Sequence, residues 1–305
     1  MLGKVIETGP AVKSVSTGDY AVFTVRRGCG KCAPCNMNRP DMCRTGQYRE
    51  RGIWGLDGYQ AESVVDGEQY LVRVPSELAH VGVLMEPLSV AEKAIDEVIQ
   101  LQVARLPAAP GSRDWLTTQK CLVAGLGPIG LLAAMILRLR GAEVWGMDIV
   151  DATSPRPQWL AGIGGRYIDG RATPTDRLAD SVGRFDLIFE ATGIARLEFD
   201  LLDSLALDGA YVLTGIPGGD RPVQLDAPAI LRKLVLQNQL MVGSVNAATS
   251  HFQMAAKDLE RAHLTWGPHA ERLITARHAP GDFAAAFQHH DEDEIKVVIE
   301  WQPVP

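Results

Sequence analysis

The chain has 305 residues, 46% of them hydrophobic and 22% charged, with a formal net charge of −7 and a pI near 5.5. That length accommodates two packed domains, and the composition is that of an ordinary globular protein. The acidic balance excludes a general nucleic-acid or anionic-membrane binder, which needs clustered Lys and Arg.

Along the first seventy-odd residues the sequence predicts short strands broken by turns: GKVIETG, DYAVFTV after Thr17-Gly18-Asp19, GYQAESVV and YLVRVP. The stretch HVGVLMEPLSVAEKAIDEVIQLQ then carries apolar residues at three-to-four spacing and predicts a helix. A loop from Pro107 to Asp114 separates it from a new pattern. From Lys120 onward strands and helices alternate. CLVAGL is a strand, IGLLAAMILRLRG a helix stopped by Gly141, and EVWGMDI, RFDLIFEAT, GAYVLTGIP and LMVGSV are further strands. Such alternation implies parallel βαβ units in a doubly wound sheet. The final EIKVVIEW is a strand able to return to the first domain. The predicted fold class is therefore α/β, a Rossmann sheet inserted in a β-rich domain. The expected boundaries are 1–93, 94–249 and 250–305.

Two segments need separating from targeting elements. The N-terminal MLGKVIETGPAV carries Lys4 and Glu7 and lacks the apolar stretch of a signal peptide. Residues 121–137 are uncharged, but three glycines and a proline make a strand, a turn and a helix a better account than a membrane span. The cytoplasm is the expected compartment.

Four of five cysteines fall in RRGCGKCAPCNMNRPDMC, as Cys29, Cys32, Cys35 and Cys43. Four thiolates suit a closed tetrahedral zinc site. An iron–sulfur cluster is the competing reading, since the first three share ferredoxin-like spacing, although no Cys-Pro follows. Disulfide pairing is the third, disfavoured without a secretory signal. Cys121 lies in an apolar strand and reads as a small core residue.

Gly125-Leu126-Gly127-Pro128-Ile129-Gly130 follows a predicted strand and opens a helix starting at Ile129 or Gly130. Glycines there permit a tight turn and close approach of a pyrophosphate at the helix N-terminus. Asp148, 18 residues beyond Gly130, ends the next strand and is placed to accept from adenosine ribose hydroxyls. A bare structural turn is the alternative. The carboxylate repels a 2′-phosphate and the nearest arginine, Arg156, is eight positions on, so NAD is favoured over NADP.

Together these residues resemble the zinc-dependent medium-chain dehydrogenases, above all their archaeal-type glucose dehydrogenase branch. VRRGCGKCAPC, DMCRTGQYRERGIWGLDGY, MEPLSVAEKAI, GLGPIG, ATG, LTGIPGG and VGSVNAATSHF follow one another as that branch's segments do. The resemblance implies a GroES-like catalytic domain around the Rossmann domain, with hydride passing from a sugar or polyol hydroxyl (for glucose, at C1) to NAD(P)+. It implies that Glu50 and Asn246 contact sugar hydroxyls, Asn246 also lying near the nicotinamide, and that Glu92 contacts the polyol or metal surroundings unless it is a solvated helical residue. It implies that Glu86 is an acidic ligand of a catalytic zinc, a helix-terminal acid being the alternative. Thr192, Gly193, Thr214 and Gly215 fall where the family passes its backbone beside the cofactor. A sugar-contacting histidine of some relatives is replaced here by Leu236.

In that family a cysteine and a His-Glu pair, also catalytic-zinc ligands, precede a Gly-x-Val stretch like Gly3-Lys4-Val5. The resemblance thus leads to the expectation that an N-terminal segment is missing, leaving strand edges unpaired and activity poor. His251, His289 and His290 are the conceivable replacement ligands, the last two reading better as a surface turn. A simple alcohol as substrate, a non-catalytic nucleotide-binding relative and a zinc-ribbon interaction module are the alternatives. A homodimer or homotetramer is expected.

Overall fold

Strands form where apolar side chains alternate or run together, and the chain's two compact units use the two patterns differently. The computed structural model describes residues 1–106, 115–219, 222–288 and 293–302. Unit one comprises Met1–Lys93 and Val245–Pro305, and unit two Ala94–Ser244. The predicted loop from Pro107 to Asp114, and His289 and His290, lie outside the described residues.

In unit one, β1 (Gly3–Lys4), β2 (Tyr20–Phe23), β3 (Arg26–Arg27), α1 (Ala33–Asn36), β4 (Arg49–Arg51), β5 (Gly55–Leu56) and β6 (Leu71–Val74) lead to α2 (Met85–Arg105). Two three-stranded sheets result, in the orders β1-β2-β6 and β3-β4-β5. The alternation of β6 turns Val72 and Val74 inward and leaves Arg73 outside. α2 starts at Met85 rather than His80, after a 3₁₀ turn over Gly82–Leu84. Pro87 is tolerated there because the first-turn N–H groups have no intrahelical partner. The unit boundary falls within this helix.

The predicted strand GYQAESVV is not one: 58–65 is irregular, and mostly exposed. Its backbone is subordinate to side-chain bonds, since the Tyr59 hydroxyl and the Arg27 and Arg51 guanidinium groups all donate to Asp66.

Unit two is built on β7 (Lys120–Ala124), α3 (Pro128–Leu139), β8 (Glu143–Asp148), α4 (Pro155–Gly162), β9 (Arg166–Asp169), α5 (Thr175–Val182), β10 (Phe185–Glu190), α6 (Ala195–Asp200), β11 (Leu205–Leu213), α7 (Ala227–Leu236) and β12 (Leu240–Gly243). Six parallel strands lie in the order β12-β11-β10-β7-β8-β9. Parallel central strands are covered on both faces, hence the continuous apolar run of β7, where Cys121 to Ala124 are fully buried. Cys121 is thus the small core residue the sequence predicts. In α3, Leu131 through Leu137 are buried, each Leu or Ile contributing about 1.5–3 kcal/mol on transfer from water. β9 and helices α4 to α7 are absent from the sequence-based reading, their short segments being mixed with polar residues.

The chain runs outward through β7, β8 and β9, then returns to place β10 on the other side of β7. That reversal opens a crevice at the C-terminal ends of β7 and β10, where such sheets bind ligands.

Unit one is completed by α8 (Thr249–Trp266), β13 (Ile274–His278), α9 (Phe283–Gln288) and β14 (Lys296–Ile299), with β13 and β14 parallel. The second unit boundary falls at 244/245 rather than 249/250, because Val245 and Asn246 bond to residues of unit one. Among the described residues no helix is long and apolar enough to cross a membrane.

Candidate functional site

β3 delivers the chain into the cysteine loop. Gly28 is obligatory by space: a Cβ there would stand 2.5 Å from Cys35 Sγ. Gly30 adopts φ +68°, which suits glycine, and the short α1 begins after Cys32. The four Sγ atoms of Cys29, Cys32, Cys35 and Cys43 lie within 4.8 Å of one another, and those of Cys29 and Cys35 are 3.9 Å apart. Zinc with arms of about 2.3 Å needs sulfur–sulfur edges of about 3.8 Å, so the donor set fits a zinc ion after a small contraction. None of the five cysteines is disulfide-bonded.

Local hydrogen bonds divide the thiols. The Thr45 hydroxyl, with the Lys31 and Cys32 amides, lowers Cys29 to about 5. Thr45 also lowers Cys43. Burial, reinforced by neighbouring thiols, pushes Cys35 up to about 12. A bound dication favours all four thiolates.

Just beyond the loop, β4 sets Glu50 opposite Arg26. The buried Glu50 carboxylate accepts at Oε1 from Arg26 Nε (3.0 Å) and from Asn246 Nδ2 (2.5 Å). Asn246 has φ +64°, an uncommon backbone state for a non-glycine residue, and its Oδ1 accepts from the Ala247 amide at 2.8 Å. The structure thus brings together Glu50 and Asn246, residues on remote parts of the chain. A concavity of about 420 Å³ opens beside Glu50, lined by Gly46, Tyr48, Ile53 and Trp54, within the size range of small-molecule sites. Trp54 is 66% exposed there. Nothing in the sequence-based reading singled it out, although an aromatic residue within the Glu-Arg-Gly-Ile-Trp run was a signal.

Glu86 lies half-buried in the first turn of α2, its carbonyl accepting from Ser89 Oγ at 2.7 Å. It belongs to neither group of three or more metal-donor side chains found among the described residues, so these residues alone do not form a catalytic zinc site around it. Glu92 is fully buried in α2, which removes the solvated-helix alternative. His251 is also buried, and its Nδ1 accepts from the Ala248 amide at 3.0 Å, closing the first turn of α8. The second donor group, His80, His263 and Glu271, is held by a 2.7 Å bond between His80 Nε2 and Glu271 Oε1.

In unit two the glycine turn spans β7 and α3. Gly125 has φ +89°. A Cβ on Gly130 would lie 1.8 Å from the Gly125 carbonyl oxygen, so only glycine allows that crossing. Gly127 faces open space, and the helix begins at Pro128, one residue before Ile129, because proline suits a first helical position. Unpaired first-turn amides of α3 therefore face the position where a pyrophosphate would bind.

Asp148 is engaged in this turn: Oδ2 accepts from the Leu126 amide at 2.8 Å and Oδ1 from the Ile149 amide at 2.7 Å. Arg156 Nη1 stands 3.6 Å from Oδ2. A cation therefore sits at the strand end although Arg156 is eight positions on in sequence, and the charge there does not support the expected preference for NAD over NADP.

The other residues expected to lie beside a cofactor converge on one that the sequence did not single out. Glu190, fully buried at the end of β10, accepts at Oε1 from the Thr192 amide and hydroxyl (2.5 Å each) and from the Gly193 amide (3.0 Å). Its Oε2 accepts from the Gly215 amide at 3.2 Å, and its main-chain carbonyl from the Thr214 hydroxyl at 2.7 Å. A Cβ on Gly215 would stand 2.2 Å from Gly193 N, so the two loops approach as closely as glycine permits. The Ala191 amide bonds to the Ala124 carbonyl, joining these loops to the glycine turn at the switch point.

The family model described as glucose dehydrogenase C-terminus matches residues 79–301, and that of the alcohol dehydrogenase GroES-like domain matches residues 1–76. Glucose 1-dehydrogenase 1 of Caldivirga maquilingensis is 39% identical over 99% of this chain and 81% of its own length. Glucose 1-dehydrogenase of Thermoproteus tenax is 38% identical, with the same two coverages. The structure of Haloferax mediterranei glucose dehydrogenase in complex with NADP, zinc and gluconolactone superposes with a TM-score of 0.87 at 32% identity, over 99% of this chain and 82% of that one. The chain belongs to the zinc-dependent medium-chain dehydrogenases, in their glucose dehydrogenase branch.

Proposed function

We propose that the protein oxidises a hydroxyl of a sugar, with glucose at C1 the leading candidate, and passes hydride to NAD+ or NADP+. The observation that carries this reading is the Asn246–Glu50 pair beside an open concavity. Glu50 Oε1 is occupied by its two partners, while Oε2 takes no hydrogen bond among the described residues. Asn246 retains a second amide hydrogen. One carboxylate oxygen and one amide N–H thus offer an acceptor and a donor to neighbouring hydroxyls, as polyol recognition requires. Relatives named glucose 1-dehydrogenase, and one bound to gluconolactone, support the same substrate class.

Gly125, Gly127, Pro128, Ile129 and Gly130 would hold the dinucleotide pyrophosphate, Asp148 the adenosine ribose, and the Thr192-Gly193 and Thr214-Gly215 loops the nicotinamide half. When bound, the nicotinamide supplies the hydride acceptor. The protein's part is to orient the sugar and fix the cofactor backbone. Cys29, Cys32, Cys35 and Cys43 would hold a structural zinc that shapes the loop ahead of Glu50. Glu86 is the acidic residue offered to a catalytic zinc, which when bound would polarise the hydroxyl to be oxidised. Glu92 would act on the surroundings of this site from within α2.

A homodimer or homotetramer in the cytoplasm fits reduced cysteines and the exposed Leu231, Val235 and Leu236 on α7. The test of function is absorbance at 340 nm with glucose, galactose and simple alcohols, each with NAD+ and NADP+. Sugar-dependent reduction of either cofactor is expected. Its absence with every sugar, in zinc-replete protein, overturns the proposal.

A further inference from the structure

A closed circuit of polar contacts surrounds the Glu50–Asn246 pair. From Glu50 it passes to Arg26, whose Nη1 donates to the Asp41 carbonyl at 2.8 Å. Asp41 lies in the cysteine loop, two residues before Cys43, and its Oδ2 is 3.2 Å from Lys93 Nζ. Lys93, on α2, also donates to the Val245 carbonyl at 2.8 Å. Val245 precedes Asn246, whose amide returns to Glu50. Arg39 completes the charge balance by bonding both Asp41 oxygens, Nε to Oδ1 at 3.0 Å and Nη2 to Oδ2 at 2.8 Å.

Burial gives this circuit its rigidity. The side chains of Asp41 and Lys93 are 0% and 2% exposed, and charges out of water persist only when paired in a fixed geometry. Val245 itself is half-exposed, so packing of its own side chain does not fix the backbone there. The Lys93 ammonium does, by holding the carbonyl immediately before Asn246. That anchor keeps Asn246 in its left-handed backbone state, which is strained for a non-glycine residue, and in reach of Glu50. The same ammonium, through Asp41, ties the segment to the loop that folds around the thiol cluster.

We infer that the buried Lys93–Asp41 pair is a positioning device for sugar recognition: it fixes Asn246 from behind through the Val245 carbonyl and Arg26 through the Asp41 backbone, presetting the two groups that read the sugar. Neither residue touches substrate. The inference rests on the sugar-dehydrogenase reading and adds to it the residues that hold its specificity.

The test is Lys93→Met in the zinc-replete full chain, with Lys93→Arg as the conservative variant. Met retains most of the apolar stem and removes the contacts to Asp41 and to the Val245 carbonyl. The expected result is an increase of about tenfold or more in KM for glucose, the scale of losing one well-placed hydrogen bond. KM for the cofactor and zinc content should stay within about twofold, and Lys93→Arg should recover part of the loss. Discrimination between glucose and a deoxy-sugar lacking one ring hydroxyl should shrink in Lys93→Met, a change that general loosening of the fold does not produce. If Lys93→Met fails to fold, the same measurements on Lys93→Gln, which lacks the ammonium and its reach, decide: unaltered sugar KM and discrimination overturn the inference, and a raised KM with unaltered cofactor KM supports it. An active wild type whose Lys93→Met variant loses melting temperature but keeps its sugar KM overturns the positioning role alone. A wild type that turns over no sugar overturns the functional reading itself.

Discussion

Arg156 stands 3.6 Å from Asp148 because the first turn of α4 folds back over the end of β8. The pair makes the strand end electrically mixed: the carboxylate proposed to receive ribose hydroxyls stands beside a guanidinium whose chemistry suits a phosphate. With only the carboxylate, a 2′-phosphate would meet repulsion; with the arginine, it gains a partner. Arg156→Ala should therefore lower kcat/KM with NADP+ by about tenfold or more, leaving NAD+ turnover within about threefold. Initial rates with both cofactors at fixed sugar decide it. An equal loss with both would mean that Arg156 serves the turn's structure and not the phosphate.

Glu190 invites a sharper substitution. Its carboxylate accepts four hydrogen bonds from two loops and donates none. Glu190→Gln preserves the shape but presents an NH2 group to an amide donor, leaving at least one buried N–H unsatisfied. That costs on the order of 1–3 kcal/mol, and the loss should appear both as a lower melting temperature and as a raised KM for the cofactor. Sugar KM should stay close to the wild-type value. The neighbouring carboxyl of Glu198, pushed upward by burial and then by the Glu190 charge, should titrate closer to the ordinary range in this variant, which NMR of the carboxyl carbons would detect.

What was legible in the sequence follows from how local each signal is. The glycine turn was readable because a buried strand, three closely spaced glycines and a helix are contiguous. The cysteine cluster was readable because a metal loop needs its ligands within a few turns of chain. Glu190 was not, since a lone carboxylate ending an apolar strand looks like any surface acid until the two loops close on it. The Lys93–Asp41 pair joins a helix to a loop far earlier in the chain, and no periodicity connects them. The GYQAESVV segment misled for the opposite reason: its residues alternate passably, yet Tyr59 and Asp66 are committed to Arg27 and Arg51, so side-chain bonds and not a ladder decide the backbone.

Zinc binding should carry a proton signature. With Cys29 lowered to about 5 and Cys35 raised to about 12, the metal-free loop at pH 7 holds a thiolate at Cys29 and a thiol at Cys35. A depressed group such as Cys29 favours the folded loop fully above its unfolded value near 9, and loses that contribution as pH falls through 5. Cys35 acts in the reverse sense, favouring the folded loop below 9 and losing that contribution as pH rises towards 12. Calorimetric titration of zinc at pH 7, in buffers of different ionisation enthalpy, should therefore report release of the Cys35 proton and none from Cys29. Below pH 5 the Cys29 proton joins it, and the fall of affinity with pH should steepen by one further proton. Cys35→Ser should abolish tight zinc retention. An unchanged metal content in that variant would remove the four-thiolate assignment.

Glu50 provides the most direct reading of substrate class. Glu50→Gln keeps an Oε1 acceptor for Arg26 and Asn246 but removes the charge and replaces Oε2 by a donor. Charge-assisted hydrogen bonds are roughly twice as strong as neutral ones, so losing one to a sugar hydroxyl should raise KM for glucose by about tenfold to a hundredfold. A simple alcohol, which offers no second hydroxyl, should be used no worse by the variant than by the wild type. Trp54→Ala supplies the matching apolar test, since its 66% exposed ring borders the same concavity and can cover the C–H face of a pyranose; sugar KM should rise while cofactor KM does not. The two variants distinguish the substrate classes because a dehydrogenase of simple alcohols would show neither effect: its rate would respond to cofactor and metal alone, and the acceptor at Glu50 would be silent.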